Sequence, residues 1–428
     1  MKHLYILLFV LPLIGFGQGW EQSYGISPYN YGRSIQQTTD GGYIVCGGTG
    51  TDQTMLGSSD LYVIKIDENG NEEWFQNYGY SMGRSIQQTT DGGYIIGGSE
   101  GGSGGVVIKV DQSGNIEWEQ TYSTHICSII QHDDEGYVLG GENQIIKIDN
   151  QGEVEMNWSP DYSEGDSVWI DNIIQTNDGN YLFIGWMWFN LDFGENSYGQ
   201  VYFGEISEVG EEQWSTLYGP DGTSNHGYSV VQNNNEEYLF LMYIQEIVPE
   251  VSQEIITVIL KTNDNGEEQW TQSYEGIIGG DGINSHPTLL TGKELIQIDD
   301  GGYVFCGTEW RGYEDYHDIV LFKIDEDGNE EWRQYYGETS NDRGHSVQQT
   351  VDGGYIICGT KGTSEYLYII KTDSQGNVTS TIELPTPTSK RELIKTTNIL
   401  GQENITIKNQ PMIEIYDDGS TEKKIVIE

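Results

Sequence analysis

Basic residues, cysteine and proline are all scarce in this sequence of 428 residues. There are 20 Lys and Arg against 67 Asp and Glu, a formal net charge of −47 at pH 7. This balance argues against nucleic-acid binding and against docking on an anionic bilayer, because both require a basic surface. Four cysteines are too few for a disulfide scaffold at this length. Nine prolines with 57 glycines and 29 tyrosines instead favour many short strands joined by tight turns.

Long hydrophobic runs are also missing, apart from one at the N-terminus. Leu4–Phe16 is an apolar run of 13 residues that follows Lys2 and His3, and it is too short to span a membrane. The small residues Gly15 and Gly17 lie at its end. We expect residues 1–17 to be a secretory signal peptide cleaved near Gly17, and we expect no membrane span elsewhere.

Several catalytic motifs are absent as well. The sequence contains no His-Glu-x-x-His, no phosphate-binding loop and no Cys-x-x-Cys. The carboxylates are numerous enough for a glycosidase pair to form in space, but spacing along the chain does not reveal such a pair.

A segment that recurs seven times determines the expected architecture. Gly32–Gly47, Gly83–Gly98 and Gly344–Gly359 are nearly identical, and each contains Gln-Gln-Thr-x-Asp-Gly-Gly-Tyr. Weaker copies centre on four further tyrosines, Tyr137, Tyr181, Tyr238 and Tyr303. Each copy predicts four short strands, a to d, with glycine-containing a–b and c–d turns that favour hairpins. Four-stranded units with this period are typical of propeller blades, so we predict an all-β, seven-bladed β-propeller over residues 18–383.

The tryptophans indicate how the ring closes. Six copies carry one on strand d: Trp74, Trp118, Trp158, Trp214, Trp270 and Trp332. The seventh copy lacks this strand, whereas Trp20–Gly25 has the matching sequence at the mature N-terminus. We predict that this N-terminal strand completes the seventh blade and removes an exposed sheet edge. The alternative, an open solenoid of the same repeats, would leave Trp20 without a partner sheet.

Side chains that recur with the repeat are expected to be structural. The strand-d tryptophans and strand-b tyrosines should pack between blades. The strand-c lysines (Lys65, Lys109, Lys147, Lys261, Lys323 and Lys371, with Glu205 in the remaining copy) should form a repeated ladder or ion pairs between blades. Cys46, Cys127, Cys306 and Cys358 are interpreted as small buried thiols. For Arg33, Arg84 and Arg343, at the starts of strand a, a repeated ion pair is favoured over an anionic ligand.

Irregular loops indicate where a function would lie. The short a–b and c–d turns share one face of the ring, while the long d–a and b–c loops share the other, and variable loops on a rigid scaffold usually carry function. The candidate ligand-binding residues of this second face are Trp186, Trp188, Tyr198, Trp310, Tyr313, Tyr316, His317, Asp281 and His286. Aromatic rings mixed with carboxylates suit sugar stacking, peptide anchoring or cation binding. The alternative is that they pad adjacent blades.

The c–d turns raise the question of calcium. Asp67–Glu73 and Asp325–Glu331 place oxygen ligands at alternate positions, as the start of an EF-hand loop does, but they lack its bidentate Glu. A plain hairpin turn is favoured there, calcium is kept as the alternative, and no motif for another cofactor is visible.

The C-terminal segment has a different composition. Leu384–Ser389 is a proline-containing linker, and residues 390–428 are nearly neutral. This last segment contains Ile399-Leu-Gly, Asn409-Gln-Pro, Tyr416-Asp-Asp-Gly and Glu422-Lys-Lys in that order. It resembles the C-terminal sorting domain of type IX secretion in Bacteroidetes, with motif residues Leu400, Gly401, Asn409, Pro411, Tyr416, Asp418, Gly419, Lys423 and Lys424. The resemblance implies a small β-sandwich-like domain, passage through the type IX machinery, and release or attachment at the cell surface.

The repeats resemble, more loosely, the Asp-Gly-Gly-Tyr and Lys-Ile-Asp propellers of surface proteins in the same bacteria. From these observations we expect a protein that crosses the periplasm and is secreted or displayed on the outer-membrane surface. We expect it to act as a monomeric, non-catalytic module that binds a glycan or a protein. Two alternatives stay open: a glycan hydrolase or lyase with its site on the d–a and b–c face, and a purely structural surface protein.

Overall fold

The computed structural model describes residues 19–25, 30–49, 60–80, 82–101, 104–161, 167–190, 197–246, 254–274, 277–278, 294–310, 317–337, 341–362, 366–378, 393–398, 411–416 and 421–425. The predicted signal peptide and linker lie outside these residues. Strands and turns make up everything described, which agrees with the all-β prediction. In this part of the chain, no helix has the length and apolar character needed to cross a membrane.

The described residues form thirty-two strands. The first is β1 (Trp20–Tyr24). Blades 1 and 2 contain β2 (Asn30–Gln37), β3 (Tyr43–Thr49), β4 (Asp60–Ile66), β5 (Glu72–Gly79), β6 (Met82–Gln88), β7 (Tyr94–Gly101), β8 (Gly104–Val110) and β9 (Ile116–Tyr122). Blades 3 and 4 contain β10 (Ile126–Gln131), β11 (Tyr137–Gly141), β12 (Gln144–Ile148), β13 (Val154–Trp158), β14 (Ser167–Gln175), β15 (Tyr181–Asn190), β16 (Ser197–Ile206) and β17 (Glu212–Tyr218).

The remaining strands complete the ring and the C-terminal unit. Blade 5 contains β18 (His226–Gln232), β19 (Tyr238–Glu246), β20 (Glu254–Thr262) and β21 (Glu268–Tyr274). Blades 6 and 7 contain β22 (Ile277–Ile278), β23 (Leu295–Gln297), β24 (Tyr303–Trp310), β25 (His317–Ile324), β26 (Glu330–Tyr336), β27 (Arg343–Gln349), β28 (Tyr355–Lys361) and β29 (Tyr366–Thr372). The last three strands are β30 (Leu393–Asn398), β31 (Pro411–Tyr416) and β32 (Thr421–Ile425).

Each blade is an antiparallel sheet, and in blades 1 to 5 the four strands pair in chain order, so the predicted seven-bladed propeller is confirmed. The a–b turn shows why the sequence folds this way. In blade 1, Asp40 accepts hydrogen bonds from Thr38 Oγ1 at 2.5 Å and from the Gly42 backbone N–H at 3.0 Å. Gly41 lies between them with a φ of 88°, a conformation that a residue without Cβ adopts at no steric cost.

Blade 7 is closed by the N-terminal strand, as the sequence predicts. β1 pairs antiparallel with β29 along its whole length, with Trp20 opposite Lys371 and Tyr24 opposite Leu367. The two ends of the ring are therefore held together by a backbone ladder, and the edge of β29 is covered.

Adjacent blades are joined on the outside by the predicted tryptophan and tyrosine contacts. Trp20 donates to the backbone carbonyl of Glu68 at 3.1 Å, and its ring packs on Gly70, where an added Cβ would lie 3.0 Å from it. Tyr24 Oη donates to the Gly70 carbonyl at 2.5 Å. Equivalent Tyr-to-Gly bonds recur at four more junctions, donated by Tyr78, Tyr122, Tyr274 and Tyr336.

On the inside, strand a of each blade is bonded to strand a of the next. In blade 2, the backbone N–H of Ile86 donates to Ser34 Oγ of blade 1 at 3.4 Å. The same bond occurs at all seven junctions, and its acceptors are Ser34, Ser85, Ser128, Asn172, Ser229, Glu294 and Ser346. Because these bonds join neighbouring first strands, strand a is the innermost strand and surrounds the axis of the ring.

The strand-c lysines form ion pairs within their own blades in six of the seven blades. Lys65 Nζ lies 3.0 Å from Asp40 of the a–b turn and 2.8 Å from Glu73 of strand d. The pairing recurs at Lys109, Lys147, Lys261, Lys323 and Lys371. The lysine contacts repeat from blade to blade, as expected. The ion pairs join residues of the same blade, however, and not residues of neighbouring blades as the sequence suggested. All four cysteines are buried and none forms a disulfide, which agrees with their interpretation as small thiols.

The chain divides at residues 379 and 380 into two compact units. In the C-terminal unit, β30, β31 and β32 form a three-stranded antiparallel sheet. Pro411 and Tyr416 are the ends of β31, and Lys423 and Lys424 lie on β32. Leu400, Gly401, Asn409, Asp418 and Gly419 lie outside the described residues, and the sorting function of this unit stays a prediction.

Candidate functional site

A β-bulge interrupts strand a at the same position in six of the seven blades. In blade 1 the register shifts between Gly32 and Ser34, which makes Arg33 the extra residue. The bulged residues of the other five blades differ in chemistry: Arg84, Cys127, Asp171, Tyr228 and His345. Bulges commonly occur next to functional sites, where they re-aim a side chain. In blade 6 two short strands take the place of strand a: β22 and β23 both pair with β24, with Ile278 opposite Thr308 and Leu295 opposite Phe305.

The residue two positions before the bulge, and the strand-b residue opposite it, differ in type from blade to blade. Three blades pair Tyr31 with Gly48, Met82 with Ser99 and Arg343 with Thr360. Blades 4 and 5 instead pair Trp169 with Trp186 and His226 with Tyr243. Blade 1 also has an aromatic ring on strand a, Tyr31, but its strand-b partner is a glycine. Two facing aromatic rings are therefore not a requirement of the blade fold.

These side chains form a continuous row of rings across blades 3, 4 and 5, which we call the aromatic band: His125, Trp169, Trp186, Trp188, His226, Tyr228 and Tyr243. Trp169 and Trp186 are parallel within 1°, with centroids 6.1 Å apart. His125 stacks beside Trp169 at 5.5 Å, and His226 lies against Trp186 at 4.7 Å. The row ends on Tyr243, which stacks on His226 at 5.0 Å.

Half-buried aromatic rings give the band its accessible surface, and Trp169 is one of them together with Trp186 and Trp188. Trp186 and Trp188 are both half-buried and meet edge to face, with centroids 5.8 Å apart. Gly199 lies opposite Trp188 on the neighbouring strand, and a Cβ there would come within 3.5 Å of Trp188 and 3.7 Å of Trp186. The absence of a side chain at Gly199 leaves the space beside both indoles open.

Backbone bonds between blades hold the band rigid. Asn143 of blade 3 donates from its backbone N–H to the Val168 carbonyl of blade 4 at 2.7 Å, and its side-chain oxygen accepts from the Val168 N–H at 2.7 Å. The N–H of Gly199 donates to the Thr223 carbonyl at 3.0 Å, and Asn225 returns a bond to Gly199 at 2.9 Å. Burial raises the pKa of Tyr243 far above its ordinary value, so the phenol at the end of the band stays neutral.

Two of the nine candidate residues from the sequence lie in the band, Trp186 and Trp188. Tyr198 stacks on Phe189 at 4.9 Å, and strand alternation places that pair on the opposite side of the sheet. His317 belongs to blade 6, where its Nδ1 lies 3.1 Å from Asn341 Oδ1. Trp310 ends β24 opposite His317, and its side chain is outside the described part. Asp281, His286, Tyr313 and Tyr316 also lie outside the described residues.

The remaining members of the band were not candidates in the sequence: His125, Trp169, His226, Tyr228 and Tyr243. They can be found by aligning strands a and b of the seven copies and comparing the residues at equivalent positions. On strand b the signal is clear, since Trp186 and Tyr243 correspond to Gly48 in blade 1 and to Ser99 in blade 2. On strand a it is weaker, because Trp169 and His226 correspond to Tyr31 in blade 1 and to Met82 in blade 2.

Two half-buried arginines continue the row around the axis beyond His125. Arg84 occupies the bulge of blade 2, next to blade 3, and its Nε donates to Ser99 Oγ at 3.3 Å. Arg33 occupies the bulge of blade 1, with its guanidinium 5.2 Å from the centre of the Tyr31 ring. Among the described residues Arg84 makes no ion pair, so the expected repeated ion pair is not found there. Arg343 is not equivalent to them, because the bulge of blade 7 is occupied by His345.

A second concavity lies on the face of the short turns, between blades 2 and 3. Its volume is about 460 Å³, and its lining includes Lys109, Trp118, Glu135 and Tyr137. Lys109 is already paired with Asp91 and Glu117 at 2.9 and 2.8 Å. These residue types recur in other blades as part of the fold, whereas those of the aromatic band do not.

The c–d turns use their aspartates internally. Asp67 Oδ1 accepts from the backbone N–H groups of Asn69 and Asn71 at 2.9 and 2.8 Å, and Oδ2 accepts from the Asn71 side chain at 2.9 Å. These bonds hold the pKa of Asp67 below its usual value. Within the described ranges, no group of three or more His, Cys, Asp or Glu side chains is arranged to hold a metal ion. Calcium at these turns stays a prediction.

The sequence contains one match to a nucleophile motif, but the match lacks the motif's structural context. Gly101-Gly-Ser-Gly-Gly105 matches Gly-x-Ser-x-Gly, but it joins β7 to β8 in an antiparallel hairpin. The motif functions at a sharp turn from a strand into a helix, so its context here differs.

Comparison with known proteins supports the fold. No protein-family model matches the chain, and no curated protein matches it. A protein of unknown function from Dyadobacter fermentans superposes with a TM-score of 0.50 at 9% identity, covering 82% of this chain and 97% of that one. One of unknown function from Bacteroides caccae gives 0.41 at 16% identity, covering 69% and 94%. The WD40 domain of Neurospora crassa Pan2 gives 0.49 at 7% identity, covering 82% and 97%. Propellers commonly serve as binding or interaction modules.

Proposed function

We propose that this protein is an exported, non-catalytic carbohydrate-binding propeller that holds a sugar ring on its aromatic band. The observation that carries the proposal is the pair of parallel indoles of Trp169 and Trp186, extended by His226. The strand-b position of Trp186 is Gly, Ser or Thr in blades 1, 2 and 7, where the strand-a partner is Tyr31, Met82 or Arg343. Three neighbouring blades depart from the repeat together, and their side chains meet in one place.

Aromatic faces bind sugars because a pyranose presents a face of C–H groups. The negative quadrupole above an indole attracts those hydrogens, and stacking removes apolar area of both partners from water. Polar groups at the edge of the band, such as the imidazole of His125, supply hydrogen bonds that fix orientation. The net charge of −47 opposes the other large class of stacking ligand, nucleic-acid bases on a phosphate backbone.

Binding is tested with Trp186→Ala and Trp169→Ala against a set of oligosaccharides by titration calorimetry. Loss of one stacking ring should weaken binding about 3- to 10-fold, which corresponds to about 0.5–1.5 kcal/mol. Tyr366→Ala is the matched control, because this exposed tyrosine of blade 7 lies outside the band. Equal affinity of the Trp186→Ala and wild-type proteins would contradict the proposed site, and release of shortened oligosaccharides would contradict a non-catalytic role.

Export through the type IX machinery is part of the same proposal. It is supported by the apolar run Leu4–Phe16 at one end and by the sorting-domain resemblance of residues 390–428 at the other. Expression with and without residues 390–428 in a type IX-competent host tests it. The full chain should reach the medium or the cell surface, and the shortened chain should accumulate in the periplasm. Equal export of both would overturn this part.

A further inference from the structure

We propose that the sugar held on the aromatic band is an N-acetylated amino sugar, and that its acetamido group enters a notch between Trp186 and Trp188, over Gly199. This inference rests on the proposed function and names the class of sugar. The methyl of the acetamido group packs between the two indoles, and its N–H donates to the backbone carbonyl of Asn225.

The notch has the size of one methyl group. A carbon atom at the Cβ position of Gly199 would lie 3.4 Å from the Asn225 carbonyl oxygen, 3.5 Å from Cε3 of Trp188 and 3.7 Å from Cε3 of Trp186. These are ordinary van der Waals distances, so a methyl group contacts all three neighbours without displacing them. Gly199 is buried and both indoles are half-buried. Gly199 is therefore the base of the notch, and the indoles are its walls.

The repeat does not require this combination of a glycine and a tryptophan. Gly199 lies opposite Trp188 on the neighbouring strand. At the position equivalent to Gly199, blade 5 has Ile255 and blade 6 has His317. Blade 2 has a glycine there, Gly104, but the residue opposite it is another glycine. Among these four blades, only blade 4 places an empty position beside a large aromatic ring.

The carbonyl at the notch is held in place by its own residue. The backbone N–H of Asn225 donates to the Gly199 carbonyl at 2.9 Å, and its side-chain Nδ2 donates to the same oxygen at 3.1 Å. Its Oδ1 accepts from the Gln245 N–H at 2.9 Å. Asn225 is fully buried. Because a carbonyl oxygen has two lone pairs, it can accept a hydrogen bond from a ligand in addition to one from the protein.

The chemistry of the notch favours an acetamido group over the other common substituents of a sugar ring. One carbonyl acceptor between two indoles matches one N–H donor attached to a group that ends in a methyl. A hydroxyl supplies the donor but leaves the space between the indoles unfilled. An ammonium brings three donors and a full charge whose hydration is lost on entry, and a carboxylate would face the carbonyl oxygen with its own lone pairs.

The test uses two matched pairs of oligosaccharides: tri-N-acetylchitotriose with cellotriose, and N-acetyllactosamine with lactose. Within each pair, the ligands differ only in having acetamido or hydroxyl groups. In titration calorimetry, wild-type protein should bind the acetylated member of at least one pair about 10-fold more tightly, from one hydrogen bond and one buried methyl. Chitotriose without its acetyl groups should bind more weakly than the acetylated trimer.

Gly199→Ala fills the notch with a methyl of the protein and should abolish the preference while leaving the affinity for cellotriose and lactose unchanged. Gly104→Ala is the matched control, because it adds the same methyl at the equivalent position of blade 2, and it should keep the wild-type preference. Trp188→Ala removes one wall and should weaken the acetylated member more than its partner, which covers the case in which Gly199→Ala folds poorly.

Three results overturn this inference and leave the proposed function standing. They are equal affinities within both pairs, an undiminished preference in both Gly199→Ala and Trp188→Ala, and tighter binding of the trimer that lacks acetyl groups. If no oligosaccharide of any kind binds, the proposed function is overturned as well.

Discussion

The backbone N–H of Ile35 in blade 1 donates to Ser346 Oγ in blade 7 at 3.2 Å, although 311 residues separate them in the chain. At each of the six other junctions, a backbone N–H of strand a likewise donates to a side chain on strand a of the preceding blade. The junction between the two ends of the chain is therefore built like an internal one, and the ring is closed on its inside as well as by β1 on its outside.

Trp20 is expected to hold the outer closure. Trp20→Ala removes the packing on Gly70 and Tyr43 and the bond to the Glu68 carbonyl. Because the ring is half-buried, we expect the free energy of unfolding to fall by about 2–3 kcal/mol in urea titrations. Tyr366→Ala should change it by less than about 1 kcal/mol, and an unchanged midpoint for Trp20→Ala would show that β1 does not stabilise the ring.

Glu294 is expected to make the stability of the junction between blades 6 and 7 depend on pH. It takes the place of the usual serine and accepts hydrogen bonds from Ser346 Oγ and the Val347 N–H. Burial raises the pKa of Glu294 from 4.5 to about 7, against the opposing effect of these bonds. The folded state therefore favours the protonated acid, and stability present at low pH is lost as the pH rises from about 4.5 through 7.

The matching variant is Glu294→Ser, which installs the residue used by other blades. Between pH 5 and pH 8 the wild type should lose more unfolding free energy than this variant, by about 2 kcal/mol or less. Thermal unfolding at the two pH values measures the difference. Identical pH dependence in the two proteins would show that Glu294 titrates normally.

Two a–b turns carry glutamate where the others carry glycine. Glu135 and Glu236 have φ values of 70° and 64°, and the equivalent residues Gly41, Gly92 and Gly353 have φ near 85°. Glu135→Gly and Glu236→Gly should each stabilise the fold by about 1 kcal/mol, because glycine adopts this conformation without strain. Gly353→Ala is the reciprocal change and should destabilise by a similar amount. Destabilisation by Glu135→Gly would mean that the loss of unfolded-state entropy outweighs the strain.

The fold was predictable from the sequence because its determinants repeat. The ring centroids of Trp74 and Tyr94 lie 6.0 Å apart at one junction, and those of Trp118 and Tyr137 lie 6.0 Å apart at the next. Repeated residues in the sequence therefore correspond to repeated contacts in the structure. The partner of Lys65 was less predictable, since Asp40 of the same blade and a carboxylate of the neighbouring blade are both close in a propeller.

The candidate site was only partly predictable, for the opposite reason. Trp186 and Trp188 are conspicuous in a loop-proximal strand, but His125 and His226 come from strand a of two other blades, far from them in the chain. Only the register of strands a and b shows that these residues occupy equivalent positions on neighbouring blades. Tyr198 was a candidate because of its loop, yet the period of two along β16 places it on the other side of the sheet.

The most direct test of the account is a crystal structure with the tightest-binding oligosaccharide of the calorimetric set. We predict a sugar ring stacked on Trp169 and Trp186. A ligand bound instead in the concavity beside Lys109 and Trp118, on the face of the short turns, would contradict the assignment of function to the aromatic band.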